Sequence, residues 1–242
     1  STCLVDSYFR ILRSFSGQFQ LVLQKAGVDK PFNGDIFPVK FKNGSYVEGE
    51  PFKLSDNDDR RMQFMLYGMN RLDLESDENI ETIILDNDYH LRVYSANGKL
   101  VVKSDEYYGH DPRLVDVGVV DDIGTGDRMG KPVRFKSRLQ FVKNGNRRYL
   151  VLPRNYTTGN GLLNRLVIVN NSGIAILGVN REGFEKLFES NKQKGYLGAF
   201  RVVPRKGNKG ADVYILRTEK SVVNSDASNG ISTFSSYFWA AE

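Results

Sequence analysis

The strictest alternation of apolar and polar residues in the sequence is Val133-Arg134-Phe135-Lys136-Ser137-Arg138-Leu139-Gln140-Phe141. This pattern is typical of a strand that buries one face. The alternation sends the apolar side chains to one face and three basic residues with Gln140 to the other. We therefore predict a strand over 132–143 with one hydrophobic face and one cationic face.

The segments around this strand predict further hairpins. A turn at Asn144-Gly145-Asn146 leads into a strand over 147–153. The apolar runs 166–169 and 174–177 have the length of strands, and a turn at Asn171-Ser172-Gly173 is expected between them. Asn43-Gly44 and Asn97-Gly98 are typical of tight hairpin turns, which need positive φ angles. Repeated hairpins favour antiparallel sheet over parallel sheet with crossover helices.

Three segments predict helices. Apolar residues between Leu4 and Leu23 recur at steps of three and four, the pattern of an amphipathic helix. The segments 57–72 and 181–191 have similar spacing, and a capping sequence precedes the former. The expected fold class is thus α+β and mainly β, with antiparallel hairpin-rich sheets, an amphipathic N-terminal helix and one or two further helices.

Charge is segregated along the chain. The segment from Arg128 to Arg181 contains eleven Lys or Arg and no Asp or Glu, although the formal net charge of the 242 residues is only +5. We therefore expect an acidic α+β portion at 1–127 and a basic β-rich portion at 128–220, followed by a flexible tether with an aromatic C-terminal peptide at 221–242. All three can belong to one continuous domain. Such a field concentrates anions near one part of the surface.

The basic portion predicts contacts with nucleic acid, through positive charge for phosphates and aromatic rings for base stacking. Lys and Arg on an edge strand can instead protect a sheet against aggregation. The lack of acids favours binding, because a solvated face usually mixes both signs. The residues expected to bind are Arg134, Lys136, Arg138, Lys143, Arg147, Arg148, Tyr149, Arg154, Tyr156, Lys206 and Lys209.

The C-terminal aromatic residues predict a docking peptide. Four large rings follow a Ser/Asn-rich segment, and rings of this size are costly to leave in water. They are expected to dock on the chain's own core or on another subunit or protein partner. The expected partner-binding residues are Phe234, Tyr237, Phe238 and Trp239.

Catalytic signatures are lacking. The glycine loop 124–132 has the wrong spacing for a phosphate-binding P-loop, and no GxSxG or HExxH motif occurs. Acidic residues between Asp86 and Asp127, with His90 and His110, are candidate metal ligands, but no Asp or Glu is followed two places later by Lys, as nucleases usually require. We therefore expect no catalytic residue, no metal site and no cofactor.

Three functions remain in order of preference. The first is non-enzymatic binding of single-stranded DNA or RNA, because a sheet with aromatic residues suits single strands and no helix is basic enough to enter a major groove. The alternative is a structural or assembly subunit of a viral or phage particle, built through charge-segregated surfaces and the aromatic peptide. The third is a metal-dependent nuclease that uses the acidic region.

Localisation is expected to be cytoplasmic, or in a virion if the alternative holds. Charged residues at Asp6, Arg10 and Arg13 interrupt the N-terminal apolar residues, unlike the core of a secretory signal. Apolar runs fall far short of the ~20 residues that cross a bilayer, so no membrane partner is expected. The single cysteine, Cys3, fits a reducing compartment.

Overall fold

The computed structural model describes most of the chain. The described residues are 7–13, 19–25, 32, 35–55, 64–109, 114–121, 128–134, 138–144, 147–158, 168–205, 210–218, 222–223 and 232–240. No α-helix occurs among them, and one 3-10 helix spans Leu66–Gly68. The chain is therefore nearly all β.

Nineteen strands form antiparallel sheets within this part of the chain. In chain order they are β1 Ser7–Arg13, β2 Phe19–Lys25, β3 Ile36–Lys42, β4 Ser45–Glu48, β5 Met69–Leu72, β6 Glu81–Leu85, β7 His90–Tyr94, β8 Leu100–Tyr107, β9 Leu114–Asp121, β10 Arg128–Arg134, β11 Gln140–Asn144, β12 Arg147–Thr158, β13 Ile168–Val179, β14 Phe184–Glu189, β15 Gln193–Lys194, β16 Tyr196–Pro204, β17 Gly210–Thr218, β18 Val222–Val223 and β19 Ser232–Ala240.

Four of the sheets form layers. The first sheet contains β1–β4 and the second β5–β8; the third contains β11–β14, with β15 and β18 paired to β13. The fourth has the order β16-β17-β19, and β9 pairs with β10 as a separate hairpin. The predicted boundary at 127/128 falls between the paired strands β9 and β10.

Three hydrophobic cores fix the order of the layers. Leu12 and Val22 of the first sheet pack with Ile84 and Tyr94 of the second. The other face of the second sheet packs against the third through residues such as Ile83 and Leu150. The opposite face of the third sheet contacts the fourth, where the core contains Val151, Ile176, Val213 and Ile215. The sheets are therefore stacked first, second, third, fourth.

The two inner sheets explain the continuous apolar runs in the sequence. Successive side chains of a strand point to opposite faces, so a strand covered on both sides needs apolar residues at every position. Ile83 faces the third sheet and Ile84 the first. On the third sheet, Leu150 faces the second sheet and Val151 faces the fourth. The end sheets have one outer face each.

The predicted N-terminal helix is wrong. Its described residues, 7–13 and 19–23, belong to the paired strands β1 and β2, in which Phe9 pairs with Leu23 and Ile11 with Leu21. Residues 4–6 and 14–18 lie outside the described part. Tyr8, Leu12 and Val22 face the core, yet the outward positions are apolar too. Apolar residues on both faces of a strand produce steps of three and four by chance, which imitates a helical pattern.

The other two predicted helices are also wrong. Of the segment 57–72, residues up to 63 lie outside the described part, and the remainder is the 3-10 turn followed by β5. The segment 181–191 contains β14, whose residues Phe184 and Phe188 pair with Val179 and Ile176 of β13. Tertiary pairing with β13 thus outweighs the helical spacing of its apolar residues.

The hairpin dipeptides are confirmed, and one further expected turn is not. Asn43 and Gly44 have φ angles of 52° and 77° and join β3 to β4, while Gly98 has a φ of 82° between β7 and β8. Residues 171–173, expected as a turn because of their Asn-Ser-Gly sequence, lie inside β13. A Cβ at Gly173 would lie only 2.9 Å from Oγ of Ser190, so glycine permits a close approach there.

The predicted strand over 132–143 is only partly matched. β10 ends at Arg134 and β11 begins at Gln140, with residues 135–137 outside the described part. Leu139 is buried in the core between the second and third sheets, and Phe141 packs against the same core.

Within the described residues, no helix is long and apolar enough to cross a lipid bilayer.

Candidate functional site

The basic residues expected to bind phosphate lie in different settings. Lys143 on β11 and Arg147 at the start of β12 are exposed. Arg138, two residues before β11, is exposed too. Arg134 is the last residue of β10, where the backbone alone is described. Outside the described residues lie Lys136, Lys206 and Lys209.

Arg148 is buried and holds the second sheet to the third. Its Nε donates to the carbonyl oxygen of Asp73 at 3.1 Å, and its Nη2 donates to Oγ of Ser76 at 2.6 Å. Burial lowers the pKa of the guanidinium, while the nearby Asp73 and Glu75 oppose that change. Arg148 therefore fastens the loop between β5 and β6 rather than facing solvent.

Arg154 belongs to a network of two acids and two bases. Its Nη1 lies 2.5 Å from Oε2 of Glu106 on β8 and 3.2 Å from Oε1 of Glu189 on β14. Lys186 Nζ contacts the same two carboxylates, at 2.8 Å and 3.2 Å. Hydrogen bonds from Lys186 and Arg154 lower the pKa of Glu106. The charge of Arg154 is thus balanced within the chain.

The two tyrosines expected to stack on bases are covered. Tyr149 is buried between the third and fourth sheets and meets Trp239 edge to face, with ring centroids 4.6 Å apart. The hydroxyl of Tyr156 donates to Glu189, and Nζ of Lys192 lies 4.2 Å from the centre of the Tyr156 ring. Burial and the hydrogen bond to Glu189 raise the pKa of Tyr156 to about 12.

Acidic and basic portions of the sequence attract each other inside one chain. Arg181 lies 2.5 Å from Oε1 of Glu81 and 2.8 Å from Oδ2 of Asp77, and both carboxylates come from the acidic portion. Glu106, also from the acidic portion, pairs with Arg154 and Lys186. The segregation of charge along the sequence is therefore partly cancelled by folding.

A cleft of about 780 Å³ lies beside the predicted basic hairpin. Arg147 and Arg148 line it, together with the carboxylates of Glu75, Glu182 and Glu185. Glu75 is distant in sequence from the basic run, whereas Glu182 and Glu185 directly follow it. Folding brings all three beside Arg147 and Arg148. The charge of the three acids repels phosphate, so the cleft disfavours a polyanion.

The C-terminal aromatic peptide is a strand of the fourth sheet. β19 pairs with β17 along its whole length, from Gly210 opposite Ala240 to Thr218 opposite Ser232. Tyr237 and Trp239 pack on the core between the third and fourth sheets. Phe234 and Phe238, at the alternate positions, are exposed on the outer side, 70% and 53% respectively. Most of the predicted tether 221–233 lies outside the described residues.

The outer side of the fourth sheet combines exposed rings with arginines, and we call it the fourth-sheet face. Tyr214 stacks on Phe234, with centroids 5.9 Å apart and an interplanar angle of 21°. Arg201 of β16 pairs with Tyr214 of β17. The guanidinium carbon of Arg205 lies 4.2 Å from the centre of the Phe238 ring.

This face has a surplus of positive charge. The charged residues at outward positions of 196–205, 210–218 and 232–240 are Arg201, Arg205 and Asp212, while Arg217 alternates with the inward residues of β17. Asp212 accepts hydrogen bonds from Nε and Nη2 of Arg205 at 2.7 Å and 2.6 Å, which lowers the pKa of the carboxyl group. Arg201 is exposed and forms no ion pair with any described residue.

Two hydrogen bonds of the Gln140 side chain join the predicted basic hairpin to the backbone of β16 in the fourth sheet. Gln140 of β11 donates through Nε2 to the carbonyl oxygen of Phe200 at 2.7 Å and accepts from the amide of Val202 at 2.9 Å. These two residues flank Arg201. The structure therefore places β11 next to the strand that carries Arg201. Arg138, two residues before β11, lies near Arg10 of β1 instead, since burial and the charge of Arg138 both lower the pKa of Arg10.

Sequence reasoning missed Arg201 and Tyr214 as site residues. A signal was present, because Asp212, Tyr214 and Leu216 alternate with buried Val213 and Ile215. Period-two alternation marks the outward side of a half-buried strand.

Among the described residues, no group of three His, Cys, Asp or Glu side chains is placed to hold a metal ion.

The chain matches no protein-family model. A search of curated proteins finds no match either. The function is therefore argued from the geometry of the chain.

Proposed function

We propose that the protein binds single-stranded DNA or RNA on the fourth-sheet face, without catalysing a reaction. The observation that carries the proposal is a set of rings on an open sheet face, the exposed Phe234 and Phe238 with the half-buried Tyr214, next to Arg201 and Arg205. Aromatic side chains beside positive charges on a sheet are the usual platform for single strands.

The spacing of the rings suits an extended strand of nucleic acid. Phe234 and Phe238 are four residues apart on β19, which places their Cα atoms about 13 Å apart at ~3.3 Å per residue. That distance corresponds to roughly two nucleotides of an extended single strand. A duplex keeps its bases paired and stacked, so exposed rings favour unpaired bases.

Positive charge supplies the second half of the interaction. Arg201 has no carboxylate partner among the described residues, and the loop between β16 and β17 contains Lys206 and Lys209. Arg205 lies against the Phe238 ring on the same face. If these groups neutralise three to four phosphates, log K should fall with log salt at a slope of about −2 to −3.

The acidic network does not favour a catalytic role. Glu106 and Glu189 are each paired with Arg154 and Lys186, and the pKa of each carboxyl group is lowered. A carboxyl group that acts as a general acid near neutral pH needs a raised pKa. The proposal is therefore a binding function.

The test is a fluorescence anisotropy titration of the purified chain with labelled oligo-dT and oligo-U of about 15 nucleotides. Binding should be measured between about 50 and 300 mM salt. Arg201→Glu should weaken binding by at least about five-fold, because it replaces a phosphate contact by a repulsion.

The matched control is Lys42→Glu, which makes the same change of charge at an exposed position of the first sheet. Its affinity should stay within about two-fold of the unmodified chain, because screening removes interactions beyond a Debye length. No binding at the lowest salt concentration would contradict the proposal, as would equal losses for the two variants.

A structural or assembly subunit is the second candidate. The observation in its favour is that exposed large apolar residues lie on both end sheets of the stack, such as Phe41 and Tyr46 on the first and Phe234 on the fourth. Its electrostatic argument is weaker, because acidic and basic portions already pair within one chain. Light-scattering mass distinguishes the two: large salt-sensitive assemblies support this candidate, and a small defined oligomer supports binding.

A further inference from the structure

We propose that two copies of the chain associate face to face through the outer side of the first sheet. This side is made of alternate residues on β1–β4, since Leu12 and Val22, which point the other way, lie in the core. It is called the first-sheet face. Its exposed members are Phe9, Ile11, Phe19, Phe41 and Tyr46.

The register aligns apolar residues across this side of the sheet. Phe9 pairs with Leu23, which pairs with Phe37 on the next strand, and Phe41 pairs with Tyr46. Leu23 itself is buried, so the exposed residues lie around it. The rings of Phe41 and Tyr46 are in edge contact, with centroids 5.1 Å apart. Each of the four strands thus contributes at least one exposed apolar side chain.

The described charges on this face cancel. Nζ of Lys25 lies 2.9 Å from Oε2 of Glu48 and 4.9 Å from the centre of the Phe37 ring. A second copy would therefore meet an apolar surface on which Lys25 and Glu48 already pair with each other. In an interface with two-fold symmetry the same patch meets itself, so paired charges bring less like-charge repulsion than free ones.

The exposed area is close to what a dimer needs. Phe19, Phe41 and Tyr46 are 70%, 67% and 71% exposed. With Phe9 and Ile11 they leave about 600 Å² of mainly apolar surface in water, taking ~200 Å² for each large side chain. A specific dimer buries about 800 Å² per partner, including a polar rim. Monomers rarely expose a larger apolar patch.

A second copy is the occupant that this surface suits best. Two antiparallel sheets pack face to face about 10 Å apart with their apolar sides interdigitated, as the four sheets of this chain already do. Dimerisation through the first sheet adds the same kind of layer contact. It also leaves the fourth-sheet face of each copy open at the far ends of the dimer.

Sedimentation equilibrium of the full chain, without nucleic acid, tests the proposal. The unmodified protein should have twice the 27.4 kDa mass of the chain at micromolar concentration and dissociate on dilution. The double variant Phe41→Ser, Tyr46→Ser should be monomeric at the same concentration, with its circular dichroism unchanged. Both side chains are exposed, so their loss removes no core contact.

The matched control is Phe234→Ser, Phe238→Ser, which removes two exposed rings from the opposite end of the stack and should keep the dimer mass. If the Phe41/Tyr46 variant fails to fold, Ile11→Ser serves as the second variant and should weaken the dimer at least ten-fold. A monomeric unmodified chain overturns the proposal and leaves the face to a different partner. A dimer that dissociates only in the Phe234/Phe238 variant, or an assembly larger than a dimer, also overturns it.

Discussion

The first-sheet face and the fourth-sheet face lie at opposite ends of the same stack and differ in how charge is placed among exposed rings. On the first, Lys25 and Glu48 pair with each other. On the fourth, Arg201 and Arg205 lie among the rings, and Arg205 is stacked on Phe238. Exposed apolar surface alone indicates a protein contact, whereas rings interspersed with guanidinium groups indicate a ligand with both flat rings and negative charge.

β19 shows the same difference within one strand. Trp239 packs on the core between the third and fourth sheets, while Phe234 points to solvent. We predict that Trp239→Ala lowers the free energy of unfolding by about 2–4 kcal/mol, because it leaves a cavity under the sheet. Phe234→Ala should change it by less than about 1 kcal/mol, as surface substitutions do.

Urea denaturation monitored by circular dichroism gives both values. Equal losses for Trp239→Ala and Phe234→Ala would break the distinction between the inner and outer sides of β19. Unchanged stability in both would show that β19 does not contribute to the fourth sheet.

The ion pairs of Glu106 and Glu189, in the middle of the stack, should make the stability of the fold depend on acid pH. The pKa values of Glu106 and Glu189 are lowered in the fold, by Lys186 and Arg154 for Glu106 and, against burial, by Tyr156 and Lys186 for Glu189. A carboxyl group whose pKa is lowered in the fold stabilises the fold at pH values above the pKa it has in the unfolded chain. This stabilisation is lost as the pH falls through the pKa of the folded state. We expect the melting temperature to fall as pH drops below about 4.5.

The network's contribution to stability should be small, since part of it is exposed to solvent. Lys186→Met should flatten the acid limb of the melting curve, because Lys186 contacts both carboxylates. Lys103→Met, at an exposed position of β8, serves as the control and should leave that limb unchanged. A Lys186→Met curve identical to that of the unmodified chain would rule out this source of acid sensitivity.

The smallest expected effect sharpens the charge argument on the fourth-sheet face. Asp212 is the acidic residue among the described residues of the fourth sheet, and it engages Arg205 through two hydrogen bonds. Asp212→Asn should increase oligonucleotide affinity by roughly two- to five-fold, because it removes a repulsion and frees a guanidinium for phosphate. Anisotropy at low salt measures the gain. A loss of affinity would mean that the pair positions Arg205 for binding.

The β character of the chain was predictable from its sequence, whereas the false helices were not avoidable by pattern alone. Asn43-Gly44 and Asn97-Gly98 gave correct hairpins because their φ angles depend on local residues. The N-terminal hairpin was mistaken for a helix because Phe9 and Ile11 are apolar although they point outward. Nothing local distinguishes an apolar outer face from an amphipathic helix.

The candidate site was predictable in its residue types but not in its arrangement. Arg148 and Arg154 were expected to meet phosphate, yet their partners Asp73 and Glu106 lie 75 and 48 residues away in sequence. Pairing over such separations is decided by the order of the sheets. The division of the C-terminal rings into an inner and an outer pair likewise depends on β19 joining β17.

The central claim is that the rings of the fourth-sheet face bind bases, and the affinity of two double variants tests it most directly. The probe is a labelled oligo-dT of about ten nucleotides, too short to reach both ends of a dimer. Phe234→Ala, Phe238→Ala should weaken binding at least ten-fold, because each stacked base is worth about 1–3 kcal/mol. Phe41→Ala, Tyr46→Ala, which removes two comparably exposed rings from the first sheet, should leave the affinity unchanged. Equal affinities for the two variants would contradict the account.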